Sequence, residues 1–286
     1  MLKKLLLYII TFIKDLFYKD AYVLLYAKSL KENNNWGDDI GEILVSFLTN
    51  RKLLYYRYAL ISRFIRRKNN YLIVGSIIPQ FTKPDSIIWG SGVGESNHIL
   101  QNKPKKVLAV RGPLTRKYLM ERGVECPEVY GDPALLFPMF YSPKYNKRYK
   151  IGFIPHFLDQ TIEFYNFFNK IKNDVEIVFI DVKKYGKWQN FIDLICQCEF
   201  IISSSLHGLI IADAYGIPNI WGQFTHTMED GGFKFYDYFL SVKRMNMLPI
   251  EILDKNANEL LDLKSKVIKP MIDVNPLLLS CPFKKK

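Results

Sequence analysis

Cysteine is scarce in this sequence, with four in 286 residues. Cys126, Cys196, Cys198 and Cys281 make no C-x-x-C pair, and Cys196-Gln197-Cys198 falls in an expected helix, so neither a zinc site nor a disulfide framework is indicated. No metal is expected, and the thiols fit a reducing cytoplasm. Long apolar runs are missing too. The longest, Leu5 to Ile13, is well short of the ~20 residues a bilayer span needs, and no small-residue cleavage site follows it, so neither a transmembrane span nor a signal peptide is expected. Glycines in dinucleotide-binding register are absent as well. Gly90-Ser91-Gly92-Val93-Gly94 comes nearest but misses the G-x-G-x-x-G spacing and leads into no clear helix start, so no bound cofactor is indicated. Acids are fewer than bases, 28 against 40, and the net charge of +12 asks for an anionic partner: nucleic acid, an acidic lipid surface or a phosphorylated substrate. The aromatics follow core periodicity and make no stacking platform, which argues against nucleic acid.

Apolar residues are plentiful, 49% of a chain long enough for about two domains. The stretch from Ile201 to Ala212 organises the rest. The apolar Phe200, Ile201 and Ile202 stop at Ser203-Ser204-Ser205, and a helix-period segment from Leu206 closes at Gly216-Ile217-Pro218, which reads as strand, turn and helix. In an open α/β sheet that turn lies at the carboxyl edge, where helix N-termini receive anions. Serine hydroxyls donate to phosphate or carboxylate oxygens, and His207 can exchange a proton near neutral pH. Two readings stand: helix caps with a packed histidine, or an anion site with an acid–base group.

From the beginning, residues 2–17 form an amphipathic helix by spacing, which either docks on the core or lies on an acidic membrane. Ala21 to Ala27 reads as a strand leading into Asn33-Asn34-Asn35-Trp36-Gly37-Asp38-Asp39, where the acids either cap a helix from Ile40 or, beside Trp36, hold sugar hydroxyls. Residues 51–70 are basic and aromatic, a solvated face that adds positive charge. Strands are expected at 71–75, 86–89 and 106–110, the last delivering Arg111-Gly112-Pro113 at a helix start, where a guanidinium can fork onto an anion. Gly131-Asp132-Pro133 places another acid after a short strand. Residues 138–148 make the best linker, and a second α/β series follows: strands at 149–155, 175–181, 199–203 and 218–221, helices at 160–172, 187–197 and 206–215. A polar loop, Thr225-His226-Thr227 to Gly232, enters an aromatic helix, and the tail after Pro249 reads as helical, then irregular, ending in three lysines.

Asn35-Trp36-Gly37-Asp38, Arg111-Gly112-Pro113, Gly131-Asp132-Pro133-Ala134-Leu135-Leu136, Ser205-Leu206-His207-Gly208 and Gly216-Ile217-Pro218, in that order over residues 30–245, resemble the polysaccharide pyruvyl transferase family. The resemblance implies an α/β chain of two Rossmann-like domains arranged as in GT-B glycosyltransferases; on this chain they divide into an acceptor-side domain (21–145) and a donor-side domain (146–250), with the N-terminal amphipathic helix (1–20) and a helical, basic tail (251–286) read from spacing alone. It implies transfer of the enolpyruvyl-derived group of phosphoenolpyruvate to a sugar diol as a cyclic ketal, with phosphate released. Carried onto this sequence, it makes His207 the proton donor and Asp38 a candidate base. Arg111, Ser203, Ser204, Ser205 and Lys234 fall to the donor, and Asn35, Trp36, Asp39 and Asp132 to the acceptor. A lysine at 234 lacks the bidentate fork of an arginine. A GT-B glycosyltransferase using a nucleotide sugar is the alternative. The positive helix and tail suggest a peripheral enzyme on the inner face of the cell membrane, acting on a lipid-linked oligosaccharide.

Overall fold

In the computed structural model, residues 2–27, 35–225, 231–245 and 248–283 are described; Asn33, Asn34, the loop from His226 to Asp230 and the terminal lysines lie outside them. Two five-stranded parallel sheets carry the chain, the arrangement of two Rossmann-like halves. The first holds β1 (Tyr22–Leu24), β2 (Leu53–Tyr55), β3 (Asn70–Leu72), β4 (Ser86–Trp89) and β5 (Lys106–Ala109) in the order β2-β1-β3-β4-β5. The second holds β6 (Tyr149–Ile154), β7 (Ile177–Phe179), β8 (Cys198–Ser203), β9 (Asn219–Gln223) and β10 (Ile250–Glu251) in the order β10-β9-β8-β6-β7. Parallel strands covered on both faces read as unbroken apolar runs, and β8 behaves so, with Phe200, Ile201 and Ile202 fully enclosed. Because the strands of each sheet run the same way, the loops that follow them gather at its carboxyl edge.

Four sequence expectations need correction. The basic stretch 51–70 contains an edge strand, β2, and a one-turn π-helix, Ile61–Ile65. The segment around Tyr130 forms only an isolated bridge to Val110, not a strand. Cys198 begins β8 and does not continue the helix Trp188–Gln197. The tail supplies β10 and then returns to the first half: the Trp89 indole donates to the Leu277 carbonyl at 3.0 Å, and the buried Phe283 ring meets Tyr22, Tyr71 and Trp89 with centroids 5.0, 5.2 and 5.8 Å away. The tail therefore straps the first sheet to the second.

The helix Leu2–Phe17 docks by its polar side. Asp15 is fully buried and accepts from the backbone N–H groups of Ile61, at 2.7 Å, and Ser62, capping the π-helix, while Arg66 donates to the Asp15 and Leu16 carbonyls at 2.6 and 2.9 Å. These bonds satisfy donors at one helix start and carbonyls at another helix end.

Candidate active site

The helix Trp36–Leu48 begins where the two halves meet, and Asn35 is its N-cap, its side chain accepting from Gly37 N–H at 3.1 Å. Asp38 and Asp39 thus lie inside the first turn, where carboxylates suit the positive end of the helix. Three bonds cross from this turn to the second half. Trp36 N–H donates to the Val182 carbonyl at 2.8 Å, the Trp36 indole donates to the Trp188 carbonyl at 3.0 Å, and the Tyr185 hydroxyl donates to Asp39 at 2.7 Å. Trp36 is 1% exposed and stacks on Phe191 with centroids 4.6 Å apart, so its faces are occupied by protein and offer no platform to a sugar.

From the other side, the helix Leu206–Ala214 brings His207 to the same junction. Its Nδ1 edge lies against Gly37: a Cβ at that position would stand 2.0 Å from Nδ1. Its Nε2 faces Asp132 Oδ2 at 3.7 Å, beyond hydrogen-bond length, and both atoms are buried without a hydrogen-bond partner among the described residues. The other oxygen of Asp132 caps the short helix Pro133–Met139, accepting from Ala134 N–H at 2.9 Å. Gly90, at φ +93°, lets Pro133 come close enough to hold that turn, since a Cβ there would meet the Pro133 ring at 2.2 Å. A carboxylate fixed behind an imidazole orients the ring, and buried unpaired polar atoms of this kind mark a site held ready for a ligand or a proton.

Asp38 completes the group. Burial raises its carboxyl to about 6; the His207 charge pulls it down and Asp39 pushes it up. It lines a cleft of about 590 Å³ whose other walls include Tyr56, Arg57, Arg63 and Lys83. A buried carboxyl beside an imidazole, in a cleft with cations, can take a proton from a hydroxyl and return it at neutral pH.

Arg111 stands elsewhere. Its guanidinium, 1% exposed, is occupied by Asp237 at 3.0 Å, the Ser76 hydroxyl at 2.7 Å and the Val93 carbonyl, so the expected fork onto a substrate anion is replaced by a buried ion pair between the two halves. Gly112 is required there because a Cβ would meet the Asp237 carbonyl oxygen at 1.9 Å. Ser203 is also internal: its hydroxyl lies 2.9 Å from both the Ile154 and the Ser205 carbonyl oxygens, its one proton serving either, and a Cβ at Gly208 would press on it. The Ser204 hydroxyl donates to Asp159 and accepts from His156 N–H at 2.8 Å. Ser205 is the N-cap of Leu206–Ala214; its side chain makes no cap bond, and its carbonyl accepts from Gly208 N–H at 3.0 Å. Lys234, on the helix Phe233–Ser241, lies 5.4 Å from the Phe235 ring centroid. Burial pushes the thiols of Cys126, Cys196 and Cys198 up to about 12, which makes them poor nucleophiles.

Gly37 gives a direct test of the junction. Gly37→Ala should lower turnover about 10- to 100-fold with a small change in melting temperature, because the imidazole must move by an ångström or more. Wild-type turnover in a folded Gly37→Ala protein would show that the position of the imidazole is unimportant.

Comparison with known proteins follows the same lines. The model of the family described as polysaccharide pyruvyl transferase matches residues 5–221, which contain every side chain of the His207 junction. An uncharacterized protein of Acanthamoeba polyphaga mimivirus is 27% identical over 277 residues, covering 92% of this chain and 88% of its own. The succinoglycan biosynthesis protein ExoV of Rhizobium meliloti is 29% identical over 216 residues, covering 72% of this chain and 61% of its own. With the family model matching well over half of its length, the chain belongs to the polysaccharide pyruvyl transferase family.

Proposed function

We propose that this transferase moves the enolpyruvyl-derived group of phosphoenolpyruvate onto a sugar diol of a surface-polysaccharide intermediate, forming a cyclic pyruvate ketal and releasing phosphate. The carrying observation is the junction of His207, backed by the unpartnered Asp132, with Asp38 on the adjacent turn. His207 gives its proton to the methylene carbon of the donor, leaving positive charge on the neighbouring carbon. One sugar hydroxyl adds there as Asp38 takes its proton. The bond to the phosphate oxygen then breaks, with Asp38 returning its proton to the departing phosphate, and a second hydroxyl adds to the same carbon and gives its proton to His207. The donor's anionic groups meet the N-terminus of Leu206–Ala214 with Ser205, and Lys234 closes the site; Ser203 and Ser204 hold the turn beneath it. Residues 21–145 form the acceptor half and 146–250 the donor half of a GT-B-like pair, with Asn35 and Asp39 setting the turn that carries Asp38.

The deciding experiment mixes the protein with phosphoenolpyruvate and diol-bearing glycans and measures phosphate release. Turnover with a nucleotide sugar and none with phosphoenolpyruvate would overturn the reading in favour of a glycosyltransferase.

Asp38 makes the reaction depend on pH. Its carboxyl is raised from 3.8 to about 6, so the folded chain binds the extra proton between those values. The stability that this group contributes is present below about pH 4 and lost as pH rises through 6, while the base form appears over the same interval. The kcat/KM profile should therefore rise with pH to a bend near 6, and the residual rate of Asp38→Asn should lack that bend. An unchanged bend in Asp38→Asn would assign it to another group.

A further inference from the structure

Over residues 8–17 the helix Leu2–Phe17 buries polar side chains and exposes apolar ones. Among its described side chains, Thr11 and Asp15 are buried, spaced i, i+4 on the face that meets the π-helix, whereas Ile9, Ile10, Ile13, Leu16 and Phe17 are exposed, Phe17 by 75%. Nothing among the described residues covers that apolar stripe. Phe64 and Ile65, 68% and 76% exposed, stand on the π-helix held against the same helix by Asp15 and Arg66, and so extend the apolar surface. Contiguous exposed apolar surface of this size marks a place of contact. Its surroundings are cationic: Lys14, Lys19 and Arg67 are exposed, with Arg63, Arg66 and Lys68 beside them and Asp20 the exposed acid at the rim. Apolar side chains in front and cations around them are complementary to the acyl and headgroup layers of an anionic bilayer, and the sixteen-residue helix, too short to cross one, has the length to lie in it.

The Asp38 cleft shares lining residues with this surface. Tyr56 and Arg63 line both that cleft and a second cavity of about 330 Å³, which also takes in Phe64, Arg67 and one acid, Asp85. The Arg63 guanidinium lies 4.0 Å from the Tyr56 ring centroid and 4.8 Å from that of Phe64, and its buried Nε has no hydrogen-bond partner among the described residues. A guanidinium that lines both cavities, with Arg67 beside it in the second, suits a phosphate.

We propose that the apolar stripe of Leu2–Phe17, with Phe64 and Ile65, seats the enzyme in the interface of an anionic bilayer and presents the Asp38 cleft to an acceptor glycan joined to lipid through phosphate. The acceptor class rests on the pyruvyl-transfer reading; the seating does not. Sedimentation of the full-length protein with vesicles of equimolar phosphatidylcholine and phosphatidylglycerol, without substrate, tests it. Pelleting is expected at low salt, with little on phosphatidylcholine alone, and should fall steeply as ~1 M salt shortens the screening length to about 3 Å. Ile9→Glu with Ile13→Glu should lower partitioning by about tenfold or more at unchanged melting temperature, and Lys14→Glu with Lys19→Glu by a similar factor. Wild-type protein left in the supernatant, or Ile9→Glu/Ile13→Glu protein pelleting like wild type, overturns the proposal. Concentration-dependent self-association that the same pair abolishes also overturns it, assigning the face to a second copy. Phosphate release from phosphoenolpyruvate with a soluble glycan is scored separately, so a failure of seating and a failure of chemistry are distinguishable.

Discussion

Replacing His207 by alanine should cut pyruvyl transfer about 100- to 10,000-fold while leaving the protein folded, the range that general acid catalysis contributes. The effect on stability is small because Nε2 makes no hydrogen bond among the described residues and the ring is held chiefly by its packing between Gly37, Trp36 and Asp132. Alanine removes that packing but breaks no bonded network. The loss should appear in kcat more than in KM for phosphoenolpyruvate, since the proton moves only in the transition state. Asp132→Asn should show a smaller decrease of the same kind, because the amide keeps the shape behind the ring but not the negative charge that faces Nε2. Retention of more than about a tenth of the wild-type rate by His207→Ala would remove the acid role and leave the histidine as packing.

The unequal legibility of the sequence has a physical origin. Leu206–Ala214 could be placed because serines precede it and Gly216 and Pro218 follow it, and these punctuate the chain locally. Strand β4 matched its expected bounds, Ser86 to Trp89, because a short apolar run ends at glycine. Strand β2 was hidden because Arg51 and Lys52 adjoin it, and an edge strand tolerates charge beside it. For Trp36 the local signal was misleading: a tryptophan beside two acids looks like a sugar platform, but its indole bonds to Trp188, 152 residues away. The partner of Arg111 is likewise 126 residues distant. Nothing at either position announces the other, so the sequence placed a guanidinium at the carboxyl edge without showing which anion it meets. The helix Leu2–Phe17 makes the same point: periodicity revealed an apolar stripe, and only the capping role of Asp15 shows that the stripe faces outward.

The Arg111–Asp237 pair carries the largest expected effect on stability. Asp237 is fully buried and accepts from Arg111 Nε at 3.0 Å, from Thr115 N–H at 2.8 Å and from the Thr115 hydroxyl at 2.6 Å, joining the helix Pro113–Met120 of the first half to Phe233–Ser241 of the second. Asp237→Ala would leave a guanidinium enclosed with no counter-charge and an uncapped helix start, and breaking one side of a buried pair in this way costs about 3–5 kcal/mol. In a chain of this size that is a fall in melting temperature on the order of 10 °C. Arg111→Lys should also destabilise, since an ammonium cannot reach Asp237, Ser76 and Val93 together as the planar fork does. Removing both charges with well-packed apolar groups, Arg111→Met with Asp237→Leu, should recover much of the loss, and the double-mutant cycle measures the coupling. Thermal unfolding of the four proteins, set beside their KM for phosphoenolpyruvate, separates the two roles of Arg111. A structural pair shifts the melting temperature and spares KM in whatever remains folded. An unshifted melting temperature with a raised KM for the donor in Arg111→Lys would return Arg111 to the substrate.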